Sequence, residues 1–112
     1  MTDNTQKVTI SRAADADFQD IGRYDAKILR TGPGQGDRHI PRHLHKLDIQ
    51  FIYVVKGWVR IWFDGTGEVT LTAGDSYVSP ADVAHEVQDW SDDHEVLELT
   101  SPAEFETVEV GA

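Results

Sequence analysis

The chain has no cysteine. That excludes disulfides, thiolate catalysis and every metal site built on sulfur, so any ion must be held by nitrogen or oxygen donors. Positive charge is also scarce: ten Lys and Arg stand against twenty Asp and Glu, a formal net charge of −10. No basic face remains to displace counterions from nucleic acid or to hold an anionic membrane surface. No stretch approaches the roughly 18 consecutive apolar residues of a membrane span. Met1 to Lys7 is polar, without the apolar core of a secretory leader, and a cytoplasmic protein is expected. After residue 20 no segment sustains a 3.6-residue hydrophobic period, so amphipathic helices are not expected. With 112 residues the chain reads as one domain, able to bury roughly two thirds of its unfolded surface without staples. Residues 1–7 read as a disordered tail and 8–112 as the domain.

What is present is a succession of short β-patterned runs. Val8 to Ile10 is a brief strand, Ala13 to Asp17 a link, and Ala26 to Arg30 a strand. Thr31 to Asp37, rich in glycine, is a loop. Gln50 to Lys56 and Trp58 to Phe63 are β-branched and aromatic, and Lys56-Gly57 between them reads as a tight hairpin turn. Asp64 to Gly67 is a further turn. Glu68 to Thr72, Ser76 to Val78, Ala84 to Gln88 and His94 to Thr100 follow as strands, and Phe105 to Val110 as a last strand or tail. Turn signals recurring at intervals of about 8 to 12 residues indicate an all-β sandwich or barrel.

The chemistry concentrates in Arg42-His43-Leu44-His45-Lys46-Leu47-Asp48-Ile49-Gln50. On a strand, His43 and His45 at i and i+2 share a face. Gln50 lies in phase with Ile52 and Val54, so it would face the same interior as they do. His85, in the punctuated stretch from Gly74 to Asp89, supplies a third imidazole. Three histidines and a carbonyl oxygen on converging strands suit a divalent first-row metal. Asp48 is the alternative oxygen ligand. His39 reads as a surface residue and His94 as a strand or loop residue. Trp58 and Trp62 share a parity, inward as a cap on the cavity or outward as a contact surface. Tyr77 and Trp90 read as core or cavity wall. Arg60 is either a substrate-carboxylate clamp or half of an exposed ion pair with a glutamate, and Asp89 is a candidate support for His85.

The spacing around these residues carries a resemblance. Gly36, six residues, His43, one, His45, four, Gln50, six, Gly57 form one pattern; Gly74, five residues, Pro80, then Asp82, His85 and Asp89 form another. Both resemble the two motifs of the cupin superfamily, G-x5-H-x-H-x(3,4)-E-x6-G and G-x5-P-x-G-x2-H-x3-N. The departures are one extra residue before His43, Gln50 for the glutamate, Asp82 for the glycine and Asp89 for the asparagine. The resemblance implies a single antiparallel β-barrel of the jelly-roll type. It also implies a metal held by His43, His45, Gln50 and His85, the ion being iron, manganese, nickel, zinc or copper. It further implies a small-molecule ligand in the barrel and a homodimer, with Val8 to Ile10 available to a neighbour's sheet. Two kinds of chemistry are expected at an open metal position: dioxygenase-type insertion of O₂, or Lewis-acid isomerase or lyase chemistry. A non-catalytic binding or sensor protein with a weakened site is the alternative, since the neutral amide of Gln50 removes one negative charge. No catalytic residue beyond the ligands is assigned from sequence.

Overall fold

The computed structural model describes residues 18–20, 24–32 and 39–111. Val8 to Ile10, Ala13 to Asp17 and residues 33–37 of the glycine-rich loop lie outside these. The strands are β1 (Phe18–Asp20), β2 (Lys27–Thr31), β3 (Ile40–Lys46), β4 (Ile49–Lys56), β5 (Trp58–Phe63), β6 (Gly67–Thr72), β7 (Ser76–Pro80), β8 (His85–Trp90), β9 (Glu95–Ser101) and β10 (Glu106–Glu109). They form two five-stranded sheets, ordered β1-β2-β9-β4-β7 and β10-β3-β8-β5-β6, with antiparallel pairing throughout. The architecture is an all-β, two-sheet sandwich. Among the described strands no ladder joins one sheet to the other, so the closed barrel expected from the sequence is seen only as two facing sheets.

The inner faces follow from side-chain alternation. β4 buries Gln50, Ile52 and Val54, and β5 buries Val59, Ile61 and Phe63. With Val96 these apolar residues form the core, flanked by Val69 and Leu71, and Val54 is 0% exposed. Each such side chain contributes about 1.5–3 kcal/mol of burial energy before the entropy of ordering is counted.

One expected turn takes another form. Lys56-Gly57 is not the tip of a hairpin, because β4 and β5 belong to different sheets. Gly57 is the corner at which the chain crosses between them. Its φ is +76, and a Cβ there would collide with Ser91 Oγ and lie 2.7 Å from Asp93 Oδ1. Around it, Trp58 N donates to Ser91 Oγ at 2.9 Å and Ser91 N to the Trp58 carbonyl at 3.0 Å. The true hairpin is β5–β6, closed at Phe63 opposite Gly67.

The outer faces differ in character. On the first sheet, Ile28, Leu99, Phe51 and Val78 stand side by side across four strands, and Val78 is 62% exposed. On the second, Trp58, Arg60 and Trp62 alternate with the buried residues of β5. The tryptophans therefore face outward. The Arg42 guanidinium stacks 3.9 Å above the Trp62 ring and pairs with Glu86 at 3.5 Å.

Candidate metal centre

The sandwich geometry brings the sequence-distant donors into one place. β3 and β8 pair with His43 directly opposite His85, and His45 lies two residues along the same inner face. The three rings approach with centroids 4.3 to 5.0 Å apart. One nitrogen from each falls within 4.8 Å of the others. Gln50, from the opposite sheet, lines the same cavity.

The ring orientations are fixed from behind. His43 Nδ1 donates to the Pro41 carbonyl at 2.7 Å, and His85 Nδ1 to the Val83 carbonyl at 3.0 Å. A carbonyl can only accept, so both rings carry a proton on Nδ1, and in the neutral form the lone pair is on Nε2. His45 Nδ1 contacts Thr107 Oγ1 at 2.9 Å, with the same consequence when it donates. Outer hydrogen bonds of this kind are what orient metal-binding imidazoles.

Burial favours the uncharged form of two of the rings. Burial, then the neighbouring His85 and His43, lower the His45 pKa to about 4. His85 is lowered too, by burial first; its bond to Val83 works against this and His43 adds to it. A neutral imidazole is the form that ligates a metal. The opposing oxygen is also suited: Gln50 is buried and its Oε1 has no hydrogen-bond partner among the described residues. An orphaned buried acceptor carries a desolvation cost of about 1–3 kcal/mol, which a cation beside it would offset. Donors and burial thus fit a divalent ion.

The cavity has a volume of ≈ 380 Å³, the size of a small-molecule site. Core residues Ile52, Val59, Ile61 and Val96 line it beside the histidines, together with Tyr77, Trp90 and His94. Tyr77 and Trp90 are thus cavity wall, within the range read from the sequence. His94 is more than a strand or loop residue: it is buried, its pKa is lowered by burial, and its Nδ1 lacks a partner. Thr100 Oγ1, also in the wall, lacks one too.

Asp48 is exposed in the β3–β4 connection and outside the cavity lining. His39 is exposed and bonded to Glu86 at 2.8 Å. Arg60 faces Asp89 at 3.9 Å, so the ion pair forms with an aspartate rather than a glutamate, and Asp89 serves Arg60 on the outer face rather than His85. Asp82 explains its own departure from the glycine pattern. Its φ is +65, a left-handed conformation that Asp tolerates better than most residues, and it pairs with Lys46 at 3.2 Å.

Glu98 was not singled out from the sequence. It lies on β9 opposite Ile52, lines the cavity, and accepts a hydrogen bond from Gln50 Nε2. Burial raises its pKa, while Gln50, Lys27 and His43 act in the opposite direction. Burial, and then Glu98, also push the Tyr77 phenol up. The signal was available but inverted. In Val96-Leu97-Glu98-Leu99-Thr100 the leucines suggest the core-facing parity, yet they face outward, and Glu98 and Thr100 face in.

No curated protein matches the chain in sequence. Solved structures do resemble it in fold. A conserved protein with a double-stranded β-helix domain from Klebsiella pneumoniae superposes with a TM-score of 0.67 at 16% identity, covering 93% of this chain and 100% of that one. The DMSP lyase DddQ from Ruegeria pomeroyi gives 0.59 at 19% identity, over 76% of this chain and 42% of that one. The Bacillus subtilis oxalate decarboxylase, described with Mn(II) centres, gives 0.58 at 16% identity, over 88% and 25%. At these identities the likeness shows the fold alone. The cupin domain model matches residues 33–100, more than half of the sequence and both histidine stretches: the chain belongs to the cupin domain family.

Proposed function

We propose that this cupin binds one divalent transition metal through Nε2 of His43, His45 and His85 and Oε1 of Gln50, and uses it on a small molecule held in the cavity. The observation that carries the reading is the histidine cluster: three rings, held at Nδ1 by Pro41, Val83 and Thr107, share one wall of a cavity. A bound ion with open positions would supply Lewis acidity, or redox chemistry if it is iron, manganese, nickel or copper. The chain's own residues have separable tasks. The apolar wall of Ile52, Ile61 and Val96 excludes water and strengthens every electrostatic contact inside. Thr100 and His94, in the cavity wall, are the polar side chains on offer to orient a ligand.

Lewis-acid lyase or isomerase chemistry is the favoured reaction class. It needs only a polarised ligand oxygen and a cavity carboxylate, and a lyase occurs among the structural neighbours. Dioxygenase-type chemistry is the competing class, and a non-catalytic binding role follows if no turnover accompanies metal binding. The test begins with protein prepared without chelator. About one ion per chain, absent from the His43→Ala variant, supports the reading. A wild-type protein that takes up no manganese, iron, nickel or zinc refutes it. Oxygen uptake with a panel of diketones then separates the reaction classes, because lyase and isomerase turnover consumes no O₂.

A homodimer and residence in the cytoplasm complete the reading. The outer apolar row Ile28, Leu99, Phe51 and Val78, half-buried except for the exposed Val78 and extended by the exposed Ile49 and Tyr53 on β4, is the surface for a second copy. Four strands at about 4.8 Å and about six residues at 3.3 Å give on the order of 400 Å² in plan. Two such faces stacked about a two-fold axis bury on the order of 800 Å², below the roughly 1,000 Å² of a stable interface, so the pairing is a weak one. No helix among the described residues is long and apolar enough to cross a membrane.

A further inference from the structure

We infer that Glu98 is a positioning residue for Gln50: its carboxylate holds the amide so that Oε1, not Nε2, is presented to the three histidines. The inference rests on the metal site proposed above and addresses its weakest member, the neutral oxygen donor.

A glutamine amide has two nearly isosteric ends, one accepting and one donating. Only the oxygen can ligate a cation. Left to itself, the terminal torsion of Gln50 has two broad wells of similar energy, and half of the population would turn an NH₂ toward the imidazoles. In this fold the choice is made from β9. Gln50 pairs directly with Thr100, and Glu98 with Ile52, so Glu98 and Gln50 are diagonal neighbours on the inner face, within reach of long side chains. Nε2 of Gln50 donates to Oε2 of Glu98. An ionised carboxylate can only accept and an amide nitrogen donates, so with Glu98 ionised the bond exists in only one amide orientation. Oε1 then remains without a partner in a buried setting.

The same contact changes the meaning of the missing ligand charge. A hydrogen bond from Nε2 to an anion is charge-assisted and polarises the amide toward Oε1, which raises its donor strength. The negative charge is therefore retained near the ion, relayed through the amide instead of being bonded directly. On this account Gln50 with Glu98 is a two-residue oxygen donor, and the glutamine is not the mark of an abandoned site.

The experiment is a double-mutant cycle on zinc affinity, read by competition with a chromogenic chelator, using wild type, Glu98→Leu, Gln50→Leu and the double variant. Glu98→Leu is expected to weaken zinc binding about ten- to a hundredfold, the usual cost of losing an orienting partner. In the Gln50→Leu background the same change is expected to cost less than about twofold, because no amide remains to be oriented. Glu98→Gln, whose own amide oxygen can still accept from Gln50 but which carries no charge, should recover only part of the loss. The Gln50 side-chain NH₂ protons, followed by NMR in the metal-free wild type, should exchange slowly, and should exchange faster in Glu98→Leu. Equal losses in both backgrounds would overturn the inference in favour of a direct charge or packing role. Fast-exchanging Gln50 protons in the wild type would overturn it even if the leucine variants do not fold. A wild-type protein that binds no zinc or other divalent ion would instead refute the metal site itself, and this inference with it.

Discussion

Replacing Gly57 by alanine tests the corner on which the site geometry depends. Gly57 hands the chain from the Gln50-bearing sheet to the sheet that carries the histidines. At φ +76 an L side chain costs about 1–2 kcal/mol. The added methyl would also displace Ser91 and Asp93 and press on His94 Cα at 3.1 Å. Strain of that kind costs about 1–3 kcal/mol, and the two bonds joining Trp58 to Ser91 add about 1 kcal/mol each if they break. Lower entropy of the unfolded alanine chain returns about 0.4–1 kcal/mol. Together these terms give a loss of about 1–5 kcal/mol, or about 3–7 kcal/mol if both bonds break, a large share of the 5–15 kcal/mol typical of a domain. Urea unfolding followed by tryptophan fluorescence measures it. Gly65→Ala is the control: φ is +84 there but nothing lies within 4 Å, so the backbone cost of about 1–2 kcal/mol is offset only by the same entropy gain of about 0.4–1 kcal/mol. If the two variants lose equal stability, or Gly57→Ala loses less than about 1 kcal/mol, the steric argument is wrong.

Further outcomes follow from the same physics. The folded His45 titrates at about 4 against 6.5, and His85 and His94 shift the same way. Stability tied to these neutral rings is present above pH 6.5 and is lost as pH falls toward 4. Glu98, raised from 4.5, acts oppositely: its contribution is present below 4.5 and is lost as pH rises through its folded pKa. With three rings against one carboxylate, the melting temperature of the metal-free protein in EDTA should fall from pH 7.5 to pH 5, less steeply in His45→Gln; a flat or rising profile contradicts the assignment. Trp62→Ala removes the stacking surface of Arg42 on the outer face, so thermal melting should show a loss of about 0.5–1 kcal/mol and chelator competition an unchanged metal affinity. Val78→Lys places charge at the exposed end of the outer apolar row, so light scattering at high protein concentration should show a wild-type dimer and a variant monomer; two species of equal mass refute that interface.

Much of this was legible in the sequence, and the exceptions share a cause. Periodicity located β5 at Trp58 to Phe63 and placed Gln50 in phase with Ile52 and Val54, because alternation records burial on each strand directly. The histidines converge because β3 and β8 are neighbours, which the motif spacing implied. What local pattern could not convey was which sheet a strand joins. Lys56-Gly57 looks like a hairpin turn, since a glycine at positive φ serves a hairpin and a sheet-to-sheet corner equally. On β9 the inner face is cavity rather than core, so the ordinary polarity rule reversed: Leu97 and Leu99 turned out and Glu98 turned in. Asp89, four residues beyond His85, seemed placed to support it, but an irregularity in the β5–β8 register sets it opposite Arg60.

The central claim is that three imidazoles and the Gln50 amide oxygen converge on one ion. X-ray absorption at the zinc edge of reconstituted protein measures this most directly. The account predicts a shell containing three histidine nitrogens and at least one oxygen, reduced to two histidines in His85→Ala. A wild-type spectrum with one histidine or none, or one unchanged by His85→Ala, would contradict it.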